Sequence, residues 1–173
     1  VFEEAAEAES LAEHVTDPLA LALLFYTISC FCYFACFPQR AQEAAHRATA
    51  EWEAAGNVGA TCYARLWSLY PATAQGRVSA AGPEWADLRR TSEQCLNFQS
   101  GCTAALNVAW QRLLAGDLVE AERIGEEVLT RASEMRIFGL VPLVLEHSAV
   151  LMMLTRRYDQ AEARLAALQA AYE

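Results

Sequence analysis

The stretch from Ala104 to Ala132, AALNVAWQRLLAGDLVEAERIGEEVLTRA, constrains the chain most, because it spells two helices that cannot stand alone. Ala105, Leu106, Ala109, Trp110, Leu113 and Leu114 fall on one apolar stripe of a helix. Gly116 stops that helix, since glycine takes the left-handed backbone that closes a C-terminus at little steric cost. Asp117 opens the next one by offering its carboxylate to unpaired amides, with Glu120 placed for the return half of a capping box. In the second arm Leu118, Ala121, Ile124, Gly125, Val128, Leu129 and Ala132 share a face. Glu120, Glu122, Arg123, Glu126, Glu127 and Arg131 fall largely outside it. Each arm leaves its stripe for a neighbour to cover, so one hairpin predicts others.

The others are visible as echoes. Moving forward 40 residues puts Ala109 on Ala149, Leu113 on Met153, Leu114 on Leu154, Ala121 on Ala161, Glu122 on Glu162 and Val128 on Leu168. Moving back 80 puts Ala109 on Ser29, Leu113 on Tyr33, Leu114 on Phe34 and Ala121 on Ala41, so small residues recur where helices must approach closely. The copy between them belongs near Leu69 and Ala81. Gly82 and Pro83 fall inside its second arm, which predicts an insertion or a shifted register there.

Composition agrees with an all-α chain. The 173 residues suit one helical-repeat domain, read as a fragment of a larger cytoplasmic protein, and the 54% hydrophobic share is carried largely by alanine. All thirteen basic residues are arginine, scattered through a chain of net charge −9, which argues against direct nucleic-acid binding. Absent lysine beside abundant Ala and Arg suggests a bacterial genome of high GC content. The chain opens on Val1, and its first residues lack the charged n-region and cleavage site of a secretory signal. Of six cysteines, Cys30 and Cys32 diverge by about 160° on a helix, whereas Cys32 and Cys36 share a face. All six are read as reduced core thiols rather than metal ligands or redox centres.

Taken in order, Phe2 to Val15 reads as a short helix with Phe2, Ala5, Ala6, Leu11 and Ala12 inward. Asp17 and Pro18 cap and start the next. Leu19 to Phe37 carries no charge and approaches the roughly 20 apolar residues that cross a bilayer, so a membrane-anchored alternative through residues 19–37 stands beside the buried-helix reading. Tyr26, Thr27, Ser29 and Tyr33 favour the latter. Pro38 to Ala54 is a helix with Ala41, Ala45, Ala48 and Trp52 inward. A helix from Ala60 is ended or kinked by Pro71, an irregular PATAQGRVSAAG follows, and Pro83 reopens a helix to about Asn97. Val141 to Thr155 and Tyr158 to Tyr172 close the chain.

The small residues Ala109, Ala121 and Val128 with GDLVEAE, and the echo RRYDQAEARL from Arg156 to Leu165, resemble a tetratricopeptide-type array. The usual unit is about 34 residues, shorter than the interval here. Longer units resemble arrays of large bacterial signal-transduction regulators, where an ATPase, a cyclase or a LuxR-type DNA-binding domain accompanies them. The resemblance implies a right-handed superhelix of stacked antiparallel helix pairs, with repeats at roughly 18–56, 58–97, 102–135 and 141–173. It also implies a protein or peptide partner, or other domains of the same chain, held on the first arms. In that register Asn107, Trp110, Gln111, Glu146 and His147, with Val150, are the partner-facing residues.

Chemistry has little to work with. His14, His46 and His147 lie far apart, and Glu146 and His147 diverge by about 100° on a helix. No GxSxG, HExxH, P-loop or calcium-loop pattern occurs, so no enzyme, metal or cofactor is expected. Protein interaction in signal transduction or transcription regulation is the expected role. A small-molecule effector sensor with Tyr63, Trp67 and Trp110 around an apolar cavity is the alternative.

Overall fold

From position 36 to position 156 every twentieth residue takes a left-handed backbone: Cys36, Gly56, Gly76, Leu96, Gly116, Arg136 and Arg156, with φ between 55° and 80°. This regularity comes from a computed structural model, which describes residues 2–137 and 139–170, with side chains at all of these except 2–5, 78 and 79. The turns are built alike. In six of them the residue after the left-handed one donates its N–H back over five residues, as from Phe37 to Cys32 at 2.8 Å and from Asp117 to Arg112 at 2.9 Å. The left-handed residue itself donates back over three, as from Gly116 to Leu113 at 3.0 Å. Together these are the two bonds of a Schellman motif, which satisfy carbonyls that the helix end would leave orphaned.

Between the turns lie helices, nine among the described residues and no strand. They are α1 (Phe2–Ala12), α2 (Pro18–Phe34), α3 (Pro38–Ala54), α4 (Val58–Ala74), α5 (Val78–Gln94), α6 (Phe98–Leu114), α7 (Leu118–Glu134), α8 (Val141–Leu154) and α9 (Tyr158–Ala170). The middle six of these, α2 to α7, are each 17 residues long and start 20 residues apart, so the 40-residue echo is two equal half-repeats. Asp17, Asn57 and Asp117 accept from Leu19, Ala60 and Glu120 amides, whereas Phe37 and Leu140 make no such bond. The expected capping box is half formed: the Glu120 carboxylate turns to Arg123, 2.8 Å away, rather than back to the cap.

The chain divides into two compact units, residues 1–84 with 94–97 and residues 85–93 with 98–173. In the first, α1 packs on α2, α3 lies between α2 and α4, and α2 also meets α4 directly. Its core joins Ala22, Phe25, Ile28 and Cys32 to Ala41, Ala44, Ala48, Trp52 and Ala64. The arms touch closely because small residues meet: the Ser29 hydroxyl donates to the Ala41 carbonyl at 2.7 Å. Phe25 is capped by the Arg47 guanidinium 3.7 Å above its ring. In the second unit α6 packs on α7, α7 on α8, α8 on α9, and α6 meets α8. Its core gathers Cys102, Ala105, Leu106, Ala109, Ile124, Val128, Ala132, Leu140 and Val144. The alanines at 41, 81, 121 and 161 are all buried, as the repeated small residues require.

Several expectations are corrected. The second repeat has neither insertion nor shifted register: α4 runs through Pro71 to Ala74, and α5 starts at Val78 with Pro83 inside it. Pro71 lacks an N–H for the Trp67 carbonyl four residues back, so α4 forgoes that one hydrogen bond, and the buried ring is held by packing instead. The run from Leu19 ends as a helix at Phe34, because Cys36 turns left-handed, and Cys36 therefore shares no helix face with Cys32. Among the described residues no helix is long and apolar enough to cross a membrane, which leaves the membrane-anchored alternative without a spanning segment. Leu11 and Leu114 are exposed rather than inward. Ala6 is exposed too, α1 ends at Ala12, and the expected end of the last helix at Tyr172 lies outside the described residues.

Candidate interaction surface

The two kinds of arm carry opposite surfaces. In the second unit the second arms are joined by charge. Glu122 receives two hydrogen bonds from Arg157, at 2.7 and 2.9 Å, and Glu126 pairs with Arg164. Arg89 reaches Glu127 at 2.8 Å and Arg131 reaches Glu93 at 3.2 Å. Most of these partners stand 38 residues apart, so the repeat itself brings them together. The Arg157 bonds hold the Glu122 carboxyl below its ordinary range. An ordered, charged lattice of this kind has satisfied its own groups.

The first arms of the first unit show the reverse. Leu19, Leu23, Phe31 and Phe34 on α2 are all exposed, Phe34 to 76%, and α2 carries no charged residue. Beside them lies a group of rings from three helices: Tyr26, Tyr33 and Phe34 on α2, Trp52 on α3, and Trp67 and Tyr70 on α4. Trp67 is its centre, with ring centroids 5.5 Å from Tyr70, 5.6 Å from Tyr33 and Phe34, and 6.4 Å from Tyr26. Edge and tilted contacts of this sort add about 0.5–1.5 kcal/mol per pair beyond burial, so the rings hold one another in place. A concavity of about 400 Å³ opens next to them, lined by Tyr33, Phe34, Cys36, Pro38 and Ala74. Burial raises the Tyr26 and Tyr63 phenols, and it pushes the Cys30 thiol up to about 11 against an opposing hydrogen bond from Tyr26.

The residues expected to face a partner are dispersed by comparison. Asn107 spends its amide donor on the Thr103 carbonyl of its own helix at 2.9 Å. Trp110 is half-buried, Glu146 is exposed and Val150 is half-buried. Gln111 is half-buried as well, and its Nε2 is sealed from solvent without a hydrogen-bond partner. His147 does not face outward: it is wholly buried, with its ring 4.6 Å from the Trp110 ring at 77° and against Gly125, where a Cβ would lie 3.3 Å from Cδ2. Neither of its ring nitrogens makes a hydrogen bond of full geometry, although the Ala121 backbone lies near enough to favour the charged form. Burial therefore pushes its pKa down, with the Ala121 backbone opposing. Of the five expected residues the structure joins only Trp110 and His147, and it joins them as core. Of the trio expected around an effector, none lines the concavity in the first unit. The aromatic face is legible in the uncharged run of α2, whose exposed side has the composition of a core or membrane-spanning face.

These features define a class. The chain is an all-α, tetratricopeptide-like array of antiparallel helix pairs, and two solved structures share its fold. RapI in its apo form matches with a TM-score of 0.81 at 13% identity, over 98% of this chain and 62% of its own. Aspartyl phosphate phosphatase F from Bacillus subtilis matches with a TM-score of 0.84 at 13% identity, over 98% of this chain and 45% of its own. The chain thus spans less than two thirds of either protein, and at this identity the likeness is one of fold. No family model matches the sequence, and no curated protein matches it.

Proposed function

We propose that the chain is a non-enzymatic protein-interaction module of a larger cytoplasmic, bacterial signalling or transcription regulator, with residues 1–173 acting as one helical-repeat domain. Its binding surface is the aromatic face of α2 and α4, which takes apolar side chains of a protein or peptide segment. The observation that carries this reading is the uncharged, exposed stripe of Leu19, Leu23, Phe31 and Phe34 beside the Trp67 ring cluster, in a chain of net charge −9. Contiguous exposed apolar surface of this kind marks interaction sites, and tryptophan and tyrosine supply anchoring area at low entropic cost. An amphipathic partner helix would lay anchors one turn apart into it. Asn107, Trp110, Gln111 and Glu146 then contribute at most a second patch.

A random peptide library displayed on phage and panned on the purified chain tests this. Enriched sequences should carry aromatic or leucine pairs at helical spacing. The Phe34→Ala variant, which removes an exposed ring and leaves the core intact, should weaken them by about 2 kcal/mol, roughly 30-fold. Peptides that enrich equally well on Phe34→Ala and Leu23→Asp chains would refute the assignment. The concavity beside Phe34 supports the second reading, an apolar effector site. A thermal-shift screen separates the two, since a ligand at 100 times its Kd adds about 2.7 kcal/mol.

A further inference from the structure

Cys62 and Cys95 stand 33 residues apart in sequence, yet their sulfurs lie 3.8 Å apart within the first unit. Cys62 is buried on α4, one residue before Tyr63. Cys95 is half-buried in the turn that follows α5, next to the left-handed Leu96. The surroundings hold the two in place: the Asn97 amide donates to the Gly59 carbonyl at 2.8 Å, which ties this turn to the first turn of α4. A disulfide needs its sulfurs at about 2.05 Å, so side-chain rotation and a small yield of the turn have to close the remaining gap. The turn is the part of the pair that can yield, because Cys95 lies one residue past the end of α5 whereas Cys62 lies within α4.

We propose that Cys62 and Cys95 form a redox-modifiable dithiol whose disulfide staples the start of α4 to the turn after α5. The oxidant is a low-molecular-weight disulfide such as glutathione disulfide. Cys95, the more exposed sulfur, attacks as thiolate. Its electron pair forms a bond to one glutathione sulfur, and the second glutathione leaves as thiolate. Cys62 gives up its proton to that leaving thiolate or to water and attacks Cys95 Sγ, expelling the other glutathione. The balance is two protein thiols and one glutathione disulfide to one protein disulfide and two glutathione thiols. The bond closes a segment that includes Trp67 and Tyr70, so oxidation stiffens part of the aromatic face.

The test uses the whole chain, reduced and then equilibrated over a series of glutathione to glutathione disulfide ratios, with remaining thiols alkylated. Cleavage after arginine should yield residues 48–65 joined to residues 91–112, two hydrogens lighter than the sum, with fragmentation placing the link at Cys95 rather than Cys102. Alkylation should fall from six thiols to four. The melting temperature should rise by roughly 5–15 °C on oxidation. Cys95→Ser should show neither the link nor the rise. Six alkylated thiols at the most oxidising ratio, glutathione adducts without a cross-link, or a link through another cysteine would each overturn the proposal.

Discussion

Replacing Gly116 by alanine and Leu96 by glycine should move stability in opposite directions while leaving packing untouched. Both positions close a helix, Gly116 at φ 80° and Leu96 at φ 57°. A Cβ built on Gly116 meets nothing within 4 Å, and the Leu96 side chain is 69% exposed, so neither exchange creates a clash or a cavity. What remains is the backbone. A residue with a Cβ costs about 1–2 kcal/mol in the left-handed region. Against that, exchanging glycine for alanine lowers the entropy of the unfolded chain and returns about 0.4–1 kcal/mol. Gly116→Ala should therefore lose about 0.5–1.5 kcal/mol, and Leu96→Gly should gain a similar amount. Urea titration followed by circular dichroism measures both as shifts of the midpoint at constant slope. In a chain of this size each kilocalorie is also about 2–4 °C of melting temperature. If Leu96→Gly destabilises, or Gly116→Ala stabilises, the Schellman turns are not what sets the 20-residue period.

Further consequences follow from buried and charged groups. Ala121→Leu puts three extra carbons where α7 crosses its neighbours, and overpacking there should cost at least about 1–3 kcal/mol in the same urea titration. His147 folds neutral with its pKa depressed, so its contribution is complete above the unfolded value of about 6.5 and is lost as pH falls from there through the folded value, at up to about 1.4 kcal/mol per pH unit. Midpoints measured between pH 7.5 and 5 should show this slope, and His147→Leu should flatten it. An unchanged slope in that variant would mean other groups govern the acid response. Glu122→Gln removes a half-exposed bridge to Arg157, and solvent screening limits its cost to less than about 1 kcal/mol, shrinking further in high salt. A larger loss that persists in high salt would show the bridge to be shielded from solvent.

The sequence was most readable where one residue type has one physical reason to be in place. Gly116 and Asp117 mark a turn, Ala121 and Ala161 mark a close crossing, and Pro38 to Ala54 is a helix with those boundaries. It was least readable where tertiary packing overrides local preference. Cys36, Leu96, Arg136 and Arg156 occupy the turn position usually given to glycine, so four of seven turns carried no signal. Pro71 reads as the end or kink of one helix and Pro83 as the first turn of another, although the repeat holds a helix through each. The site was harder still. Half-exposed aromatics and core aromatics share the same helical spacing, so Tyr33, Phe34 and Trp67 could not be told from a buried stripe. The repeat register alone places His147 outward, whereas the structure buries it against Gly125, which leaves the room for its ring.

The most direct test is a nitrogen-15 heteronuclear NMR titration of the chain with a peptide selected on it. Shifts confined to the amides of α2 and α4 around Leu23, Tyr26, Phe34 and Trp67, unchanged between pH 6.5 and 8.5, are the expected result. Shifts centred on the arginine and glutamate pairs of α7 and α9, with the aromatic face silent, would contradict it.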